Sequence, residues 1–299
     1  MRARTVSVII PTRDRPGATR NAIESALAQS HSPLEVIVVD DASVEPFAYE
    51  HPVVRVLRQD RHRGAGAARN RGTDAAFGEW VAFLDSDDCW LPEKLEQQFQ
   101  QLGDPPMATL CCCNVVVMSA SGDAGSRYNV APPSGDLSEW ILVGGNSAQT
   151  SGLMLPRELA ARIRFDENLP HHQDWDFFLR ATGMGLSLSY VHDPLVLYGA
   201  ARCPDRISST VTAADTLAWI DSSGGGRFVT QRARHEVSCR SATSPGLRKQ
   251  PVMALSSLGR ALLDGSLSFL PTLGWVSRSV RRKLPLRRHK VPNSLWATR

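Results

Sequence analysis

Val81-Ala82-Phe83-Leu84-Asp85-Ser86-Asp87-Asp88 is the stretch on which the reading of the fold turns. Four apolar residues run without alternation into three carboxylates spread over four positions. An unbroken apolar run of this length reads as a strand buried on both faces, and the acids mark where that strand leaves its sheet. Gathering Asp85, Asp87 and Asp88 costs Coulomb repulsion that burial would aggravate. A divalent cation bridging to a phosphate relieves that cost, because hard ions prefer carboxylate oxygens. The structural alternative is an acidic cap for a following helix, with Pro92 in its first turn.

The residues upstream favour the first reading. Residues 6–10 form a strand ended by Pro11, and 34–39 form a second stopped by Asp40-Asp41-Ala42-Ser43. Residues 53–57 form a third, and 80–84 the fourth. Helices are expected between them over 18–29, where Ala22, Ile23, Ala26 and Leu27 share one face, and over 64–77. Alternating strands and helices imply right-handed βαβ units and a parallel sheet. Ligands of such sheets bind beyond the carboxyl ends of the strands. Pro11-Thr12, Asp40-Asp41 and Asp85-Ser86-Asp87 therefore converge on one rim.

Downstream the pattern is less regular. A helix is expected over 91–102, a strand over 109–118, and a Gly/Ser/Pro-rich loop over 119–138. A short strand over 151–155 precedes a helix over 156–163. His171-His172-Gln173-Asp174-Trp175-Asp176 opens a helix reaching about 181, and 186–190 and 195–198 read as two further strands. From 207 the pattern is helical, with Ser222-Ser223-Gly224-Gly225-Gly226 as a hinge or linker.

The 299 residues suffice for a large α/β domain with an appendage, and 42% hydrophobic with 21% charged content is ordinary for a soluble globular chain. The net charge of +4 is concentrated: residues 276–299 hold eight Lys and Arg and no acid, which leaves the rest slightly acidic. That basic end follows an apolar segment from Leu262 to Val276. It reads equally as a peripheral anchor on anionic lipid and as a packed helix with a solvated basic end. Nucleic-acid binding is disfavoured, because no aromatic residues interleave with the charges. Cys111, Cys112 and Cys113 are consecutive, and the other three cysteines are scattered without CxxC spacing. Free thiols in a reducing, cytoplasmic setting are expected. No signal peptide and no membrane span are expected.

Several motifs carry less than they suggest. Gly64-Ala65-Gly66 before a helix makes an anion-binding N-terminus with Arg69 nearby, but lacks the third small residue and the preceding strand of a dinucleotide fingerprint. His171 and His172 lack the helical His-x-x-x-His spacing of a metal site. Asp174 reads either as a residue facing its own helix N-terminus or as a general base. The nucleophile elbow and the P-loop are absent.

Taken together, five stretches resemble the inverting family 2 glycosyltransferases: Val6-Ser7-Val8-Ile9-Ile10-Pro11-Thr12-Arg13-Asp14-Arg15; Glu35-Val36-Ile37-Val38-Val39-Asp40-Asp41-Ala42-Ser43; Ala67-Ala68-Arg69-Asn70-Arg71-Gly72; Gly78-Glu79-Trp80 running into the opening stretch; and Gln173-Asp174-Trp175-Asp176-Phe177. The resemblance spans residues 5 to 210. It implies an α/β GT-A fold, Rossmann-like, with a mostly parallel central sheet flanked by helices and a C-terminal helical extension. The corresponding organisation is a GT-A domain over 1–215, with a nucleotide half to about 104 and an acceptor half beyond, then a basic helical extension over 216–299.

The resemblance also implies roles. The donor would be a nucleotide-diphosphate sugar, UDP favoured, held by Pro11, Thr12, Arg13, Asp14, Asp40, Arg69, Asn70, Asp85 and Ser86. Within that set Pro11-Thr12 and Asp40 would take the base and ribose, and Asp85 the ribose or sugar. Asp87 would coordinate Mg²⁺ or Mn²⁺ on the diphosphate, and Asp174 would deprotonate a hydroxyl of a saccharide or lipid-linked acceptor, as in cell-surface polysaccharide or glycolipid synthesis. Two departures stand out. Gln173 replaces the family's usual Glu before Asp174, and Tyr198 is followed by Gly199-Ala200-Ala201-Arg202, where many members carry Tyr-Arg-x-His. A nucleotide-sugar-binding protein without transferase activity is the alternative function. A sugar-phosphate nucleotidyltransferase would need glycines and basic residues after the first strand, and Pro11-Thr12-Arg13-Asp14 has no glycine.

Overall fold

β1 (Val6–Thr12), β2 (Glu35–Asp40) and β4 (Trp80–Phe83) are buried along their whole length. They pair in parallel, Ser7 to Glu35 through Thr12 to Asp40 on one side and Val6 to Trp80 through Ile9 to Phe83 on the other. β3 (Val54–Arg58) adds to the outer edge of β2. The structure, a computed structural model, describes residues 4–103, 108–118, 136–144, 146, 148–199 and 211–243.

Alternation along these strands explains why they lack an apolar-polar pattern. Ile9, Ile37, Val39, Val81 and Phe83 face one core, shared with α2 (Ala65–Ala75), α4 (Leu137–Leu142), α5 (Arg157–Ile163) and α6 (Gln173–Gly183). Val6, Val8, Ile10, Val36, Val38, Ala82 and Leu84 face the other, under α1 (Pro16–Leu27) and α3 (Lys94–Leu102). Neither face of the central sheet meets water, so both must be apolar.

Beyond β4 the sheet becomes mixed, in the order β3-β2-β1-β4-β7-β6-β8-β5. β7 (Met154–Pro156) runs antiparallel to both β4 and β6 (Thr109–Val117). The two strands expected over 186–198 are one, β8 (Ser187–Tyr198), parallel to β6. Its register slips between Cys113–Val191 and Asn114–Pro194. Pro194 cannot donate to the ladder, so the irregularity sits where the strand loses a donor. Asn114 partly compensates, its amide donating to the His192 carbonyl at 3.3 Å. The expected helix over 91–102 begins three residues later, because Cys89–Trp90 forms a short strand, β5, antiparallel to β8. Cys89, Cys111, Cys112 and Cys113 are buried free thiols.

The expected loop over 119–138 lies largely outside the described residues, and its last part enters α4, capped by Asp136 accepting from the Glu139 amide. The expected linker at 222–226 is a packed turn. α7 (Ala213–Ser222), which runs through position 215, is followed by this turn and then by α8 (Gln231–Thr243). Gly225 donates its N–H to the fully buried Asp176 at 2.7 Å, and a Cβ there would stand 2.7 Å from the same carboxylate oxygen. Glycine marks a close approach here, not flexibility. The basic tail and Arg202 fall outside the described residues. Among the described residues, no helix is long and apolar enough to cross a membrane.

Candidate active site

The carboxyl ends of β1, β2 and β4 open on one cleft of about 1680 Å³, closed on its far side by the start of α6 and by α7. Pro11, Thr12, Arg13, Asp14, Arg69, Asp85, Ser86, Asp87 and Asp174 all line it. Asp40 and Asn70 do not.

At the end of β1 the loop is pinned from within. Asp14 adopts a left-handed φ of 52° and accepts from the Val44 amide at 2.7 Å, while its own N–H donates to Ser43 Oγ at 2.9 Å. Thr12 and Thr19 hydroxyls are 2.6 Å apart, and Thr19 donates onward to the Arg15 carbonyl. This ties the β1–α1 loop to the first turn of α1, whose Pro16 suits a helix start.

The two acids ending β2 divide differently from the expectation. Asp40 is fully buried and accepts from the Ser43 and Phe47 amides and from Arg58 at 2.7 Å. Burial alone would push its carboxyl up, but the Ser43, Phe47 and Arg58 donors outweigh that and hold it below the usual value. It closes the β2–β3 turn and does not line the cleft. Asp41 fronts the cleft instead, gathering Gln59 Nε2, the Arg63 and Gly64 amides and His62 Nδ1 within 2.8 Å. It thereby shapes the loop that enters α2 at Gly64, where φ is 88°. Asn70 likewise does not line the cleft. Its side chain exchanges hydrogen bonds with the Phe165 backbone at 2.8 and 2.9 Å and with Glu167 at 3.0 Å, fastening α2 to the segment before α6. Adjacent carboxylates and a mid-helix amide look alike in sequence; only the packing separates them.

At the end of β4 the three acids have separate partners. Asp85 accepts from Arg69 Nη2 at 2.6 Å. Asp88 accepts from Ser151 Oγ at 2.6 Å and from the Gly199 amide at 2.8 Å. It is no cap for α3, whose N-cap is Glu93. Asp87 faces the cleft with Arg15 Nη1 3.4 Å away. Ser151 also accepts from the Asp85 amide at 3.1 Å, and its carbonyl accepts from Trp90 Nε1. One serine, with no motif to announce it, thus ties the two ends of the acidic turn, Asp85 and Asp88, together. Among the described residues, no three His, Cys, Asp or Glu side chains gather as a metal-ion cluster.

Across the cleft, α6 begins after His172, which is left-handed at φ 58°. His172 stacks on Trp175 at 4.3 Å, and its Nε2 lies 3.0 Å from Thr216 Oγ1. Burial and the neighbouring His171 push its pKa down to about 4, so it is neutral at pH 7. Asp174 is half-buried at the helix start, and desolvation lifts its carboxyl to about 6 despite the Trp175 amide and Arg69. Arg69 connects the two walls: besides Asp85, it donates from Nη1 to Gln173 Oε1 at 3.0 Å and lies over the Phe165 ring. Gln173 is fixed in turn by donating to the Leu169 carbonyl at 2.7 Å.

Known proteins share this arrangement of elements. The model of glycosyl transferase family 2 matches residues 7–159. The amylovoran biosynthesis glycosyltransferase AmsB of Erwinia amylovora is 32% identical over 237 residues, covering 72% of this chain and 76% of its own. The putative teichuronic acid biosynthesis glycosyltransferase TuaG of Bacillus subtilis is 36% identical over 225 residues, covering 72% and 86%. The crystal structure of S. aureus TarS 1-349 in complex with UDP-GlcNAc superimposes with a TM-score of 0.58 at 18% identity, over 84% of this chain and 79% of that one. That last likeness speaks for the fold alone. With the family matched over half its length and the mixed sheet matched in three dimensions, the chain belongs to glycosyl transferase family 2 and has the GT-A fold.

Proposed function

We propose that this glycosyltransferase moves a sugar from a nucleotide-diphosphate donor, UDP-linked by preference, to an acceptor hydroxyl with inversion at the anomeric carbon. The observation that carries the reading is the pair of carboxylates facing each other across the cleft: Asp87 at the end of β4, and Asp174, with its raised pKa, at the start of α6. The ends of β2 and β4 flank that of β1 and so stand about 10 Å apart, two strand spacings. A nucleoside diphosphate laid along that rim reaches from the Pro11–Thr12 and Asp41 end, where the base sits, to Asp85 and Asp87.

The residues fit a divalent ion. Mg²⁺ and Mn²⁺ take one or two carboxylates, keep waters and fill other positions with substrate phosphates, so one cleft-facing carboxylate, Asp87, suffices. Bound there, the ion would offset charge on the departing diphosphate. Asp174 takes the acceptor proton. Its Oδ1 accepts from the Trp175 amide at 2.9 Å, which leaves Oδ2 for the hydroxyl. A base with pKa about 6 is ionised at neutral pH and still basic enough to pull on an alcohol proton in the transition state. The attack comes from the α6 wall while the diphosphate leaves on the β4 side, and opposite faces mean inversion. A UDP-GlcNAc complex of a protein with the same fold supports the donor class, and the polysaccharide-synthesis names of AmsB and TuaG support a saccharide or lipid-linked acceptor in cell-surface polymer synthesis.

A thermal-shift screen of nucleotide-diphosphate sugars, with and without Mn²⁺, tests the donor, since a ligand of the native state alone raises the melting temperature. We expect a Mn²⁺-dependent shift with a UDP-sugar, and a product of inverted anomeric configuration by NMR once an acceptor is found. Absence of a shift with every donor would refute the reading.

A further inference from the structure

We propose that three rings on the α6–α7 wall, His172, Trp175 and Trp219, form the shelf that holds the acceptor at Asp174, and that the sugar unit lying on it is neutral, without carboxylate or phosphate. The inference rests on the nucleotide-sugar reading above, which makes Asp174 the base, and narrows the acceptor that this reading leaves open. Trp175 and His172 both line the cleft, and Trp175 follows the base directly in sequence. The two rings stack with centroids 4.3 Å apart and planes 15° from parallel. Trp219 of α7 is buried behind both, 6.1 Å from Trp175 and 5.3 Å from His172. A hydroxyl that Asp174 deprotonates must come within hydrogen-bond reach of it, so the sugar carrying that hydroxyl lies against the neighbours of Asp174 on this wall. Sugar rings offer faces rich in C–H between their hydroxyls, and a rigid indole takes such a face at little entropic cost.

The shelf is set before any ligand arrives. His172 is held left-handed, a conformation uncommon for a residue with a Cβ. Its Nε2 lies 3.0 Å from Thr216 Oγ1, and that hydroxyl gives its own proton to the Thr212 carbonyl at 3.2 Å. Nε2 therefore carries the imidazole proton and donates it, and this one tautomer fixes the ring against Trp175. The charge of the cleft is one-sided. Its four arginines, Arg13, Arg15, Arg63 and Arg69, come from the β1–α1 loop, the loop before α2 and α2 itself. Among the described residues, those that α4, α6, α7 and α8 contribute to the cleft include no lysine or arginine. Arg69, whose charge is felt at Asp174, already serves Asp85 and Gln173. An anionic acceptor would bring its charge beside Asp174 with no cation on that wall to offset it. A neutral sugar meets no such penalty.

Saturation-transfer NMR on the full chain tests the shelf with methyl glycosides of glucose, galactose and mannose and with the matching uronides, each with and without UDP and Mn²⁺. At least one neutral glycoside is expected to bind, and its uronide about tenfold more weakly or worse. Trp175→Ala keeps the backbone amide that Asp174 accepts from, and should weaken the neutral glycoside about tenfold, while Trp175→Phe should stay within about threefold of wild type. Both variants should keep the thermal shift with UDP and Mn²⁺, which a merely structural loss would abolish. A uronide bound as tightly as its neutral counterpart, unchanged binding by Trp175→Ala, or no glycoside bound at all overturns the proposal. The comparison of neutral with acidic glycosides uses the wild-type chain, so it decides the matter even if Trp175→Ala does not fold. A wild-type chain that binds a neutral glycoside but shows no shift with any nucleotide-diphosphate sugar refutes the donor reading and leaves the saccharide site standing; the reverse result refutes the shelf alone.

Discussion

Asp174 carries a charge at pH 7 that its surroundings disfavour. Its pKa is raised from 3.8 to about 6, with burial the leading cause, so the folded chain holds this proton over a range where the unfolded chain has released it. Stability at this site is therefore undiminished below about pH 4, declines as pH rises toward 6, and stays diminished above that. Asp174→Asn should raise stability at pH 7 by about 1–3 kcal/mol, an advantage that disappears near pH 4 in denaturant titrations. The same variant should keep its donor-induced thermal shift and lose about 10²–10⁴-fold in transfer, while wild-type kcat/KM falls with acidification through about pH 6. A destabilised carboxylate at a cleft is what a stability–activity compromise looks like. Single residues were legible where a strand end or helix start exposed them, as with Asp85, Asp87 and Asp174. Asp40 and Asp41 show the limit. Which of two adjacent acids turns toward the cleft depends on the path of the turn after β2, and on Arg58 and Phe47, which composition does not reveal. Arg15 and Ser151 act through partners more than sixty residues away.

Between elements, the least expected contact joins α3 to β6. Lys94 is fully buried, its Nζ has no hydrogen-bond partner, and it lies 3.8 Å over the Trp90 ring, near Cys111, Cys112 and Cys113. Burial depresses its pKa from 10.5 to about 8, against a smaller upward pull from the cysteines. Folding then releases a proton between about pH 8 and 10.5, so the stability of this interface rises with pH across that window and is penalised below it. Lys94→Met keeps the length and drops the charge. It should stabilise the chain at pH 7 by up to about 3 kcal/mol, and the gain should shrink as pH approaches 10. A destabilised Lys94→Met at pH 7 would mean that the Trp90 contact outweighs desolvation. The elements themselves were readable wherever both faces of a strand are buried or a helix carries one apolar stripe. What escaped depends on distant pairing. β5 is two residues long and exists because β8 lies beside it; Gly225 packs on Asp176 instead of flexing; the strand over 187–198 stays continuous across Pro194 because β6 supports it.

Across the whole molecule, the cleft works only if its two walls keep a set distance, and one side chain spans them. Arg69 rises from α2, holds Asp85 on the β4 wall and Gln173 on the α6 wall, and sits next to Asp174. Family resemblance placed Arg69 at the nucleotide and noted Gln173 as a departure, but the link between them is a fact of packing. A planar guanidinium can donate to both partners at once; a lysine ammonium on a shorter reach holds one. Arg69→Lys should therefore leave donor binding within a few-fold, because Asp85 keeps a cation, and should lower kcat about 10–100-fold by loosening the base against the donor. Arg69 also lowers the pKa of Asp174. With the charge withdrawn toward Asp85, the acidic limb of the rate profile should move to higher pH. Gln173→Ala separates geometry from charge. It cuts the same bridge but leaves the guanidinium in place, so kcat should drop while the acidic limb stays near about 6. If Arg69→Lys instead raises KM for the donor and spares kcat, Arg69 is only a donor contact and the walls are held by something else.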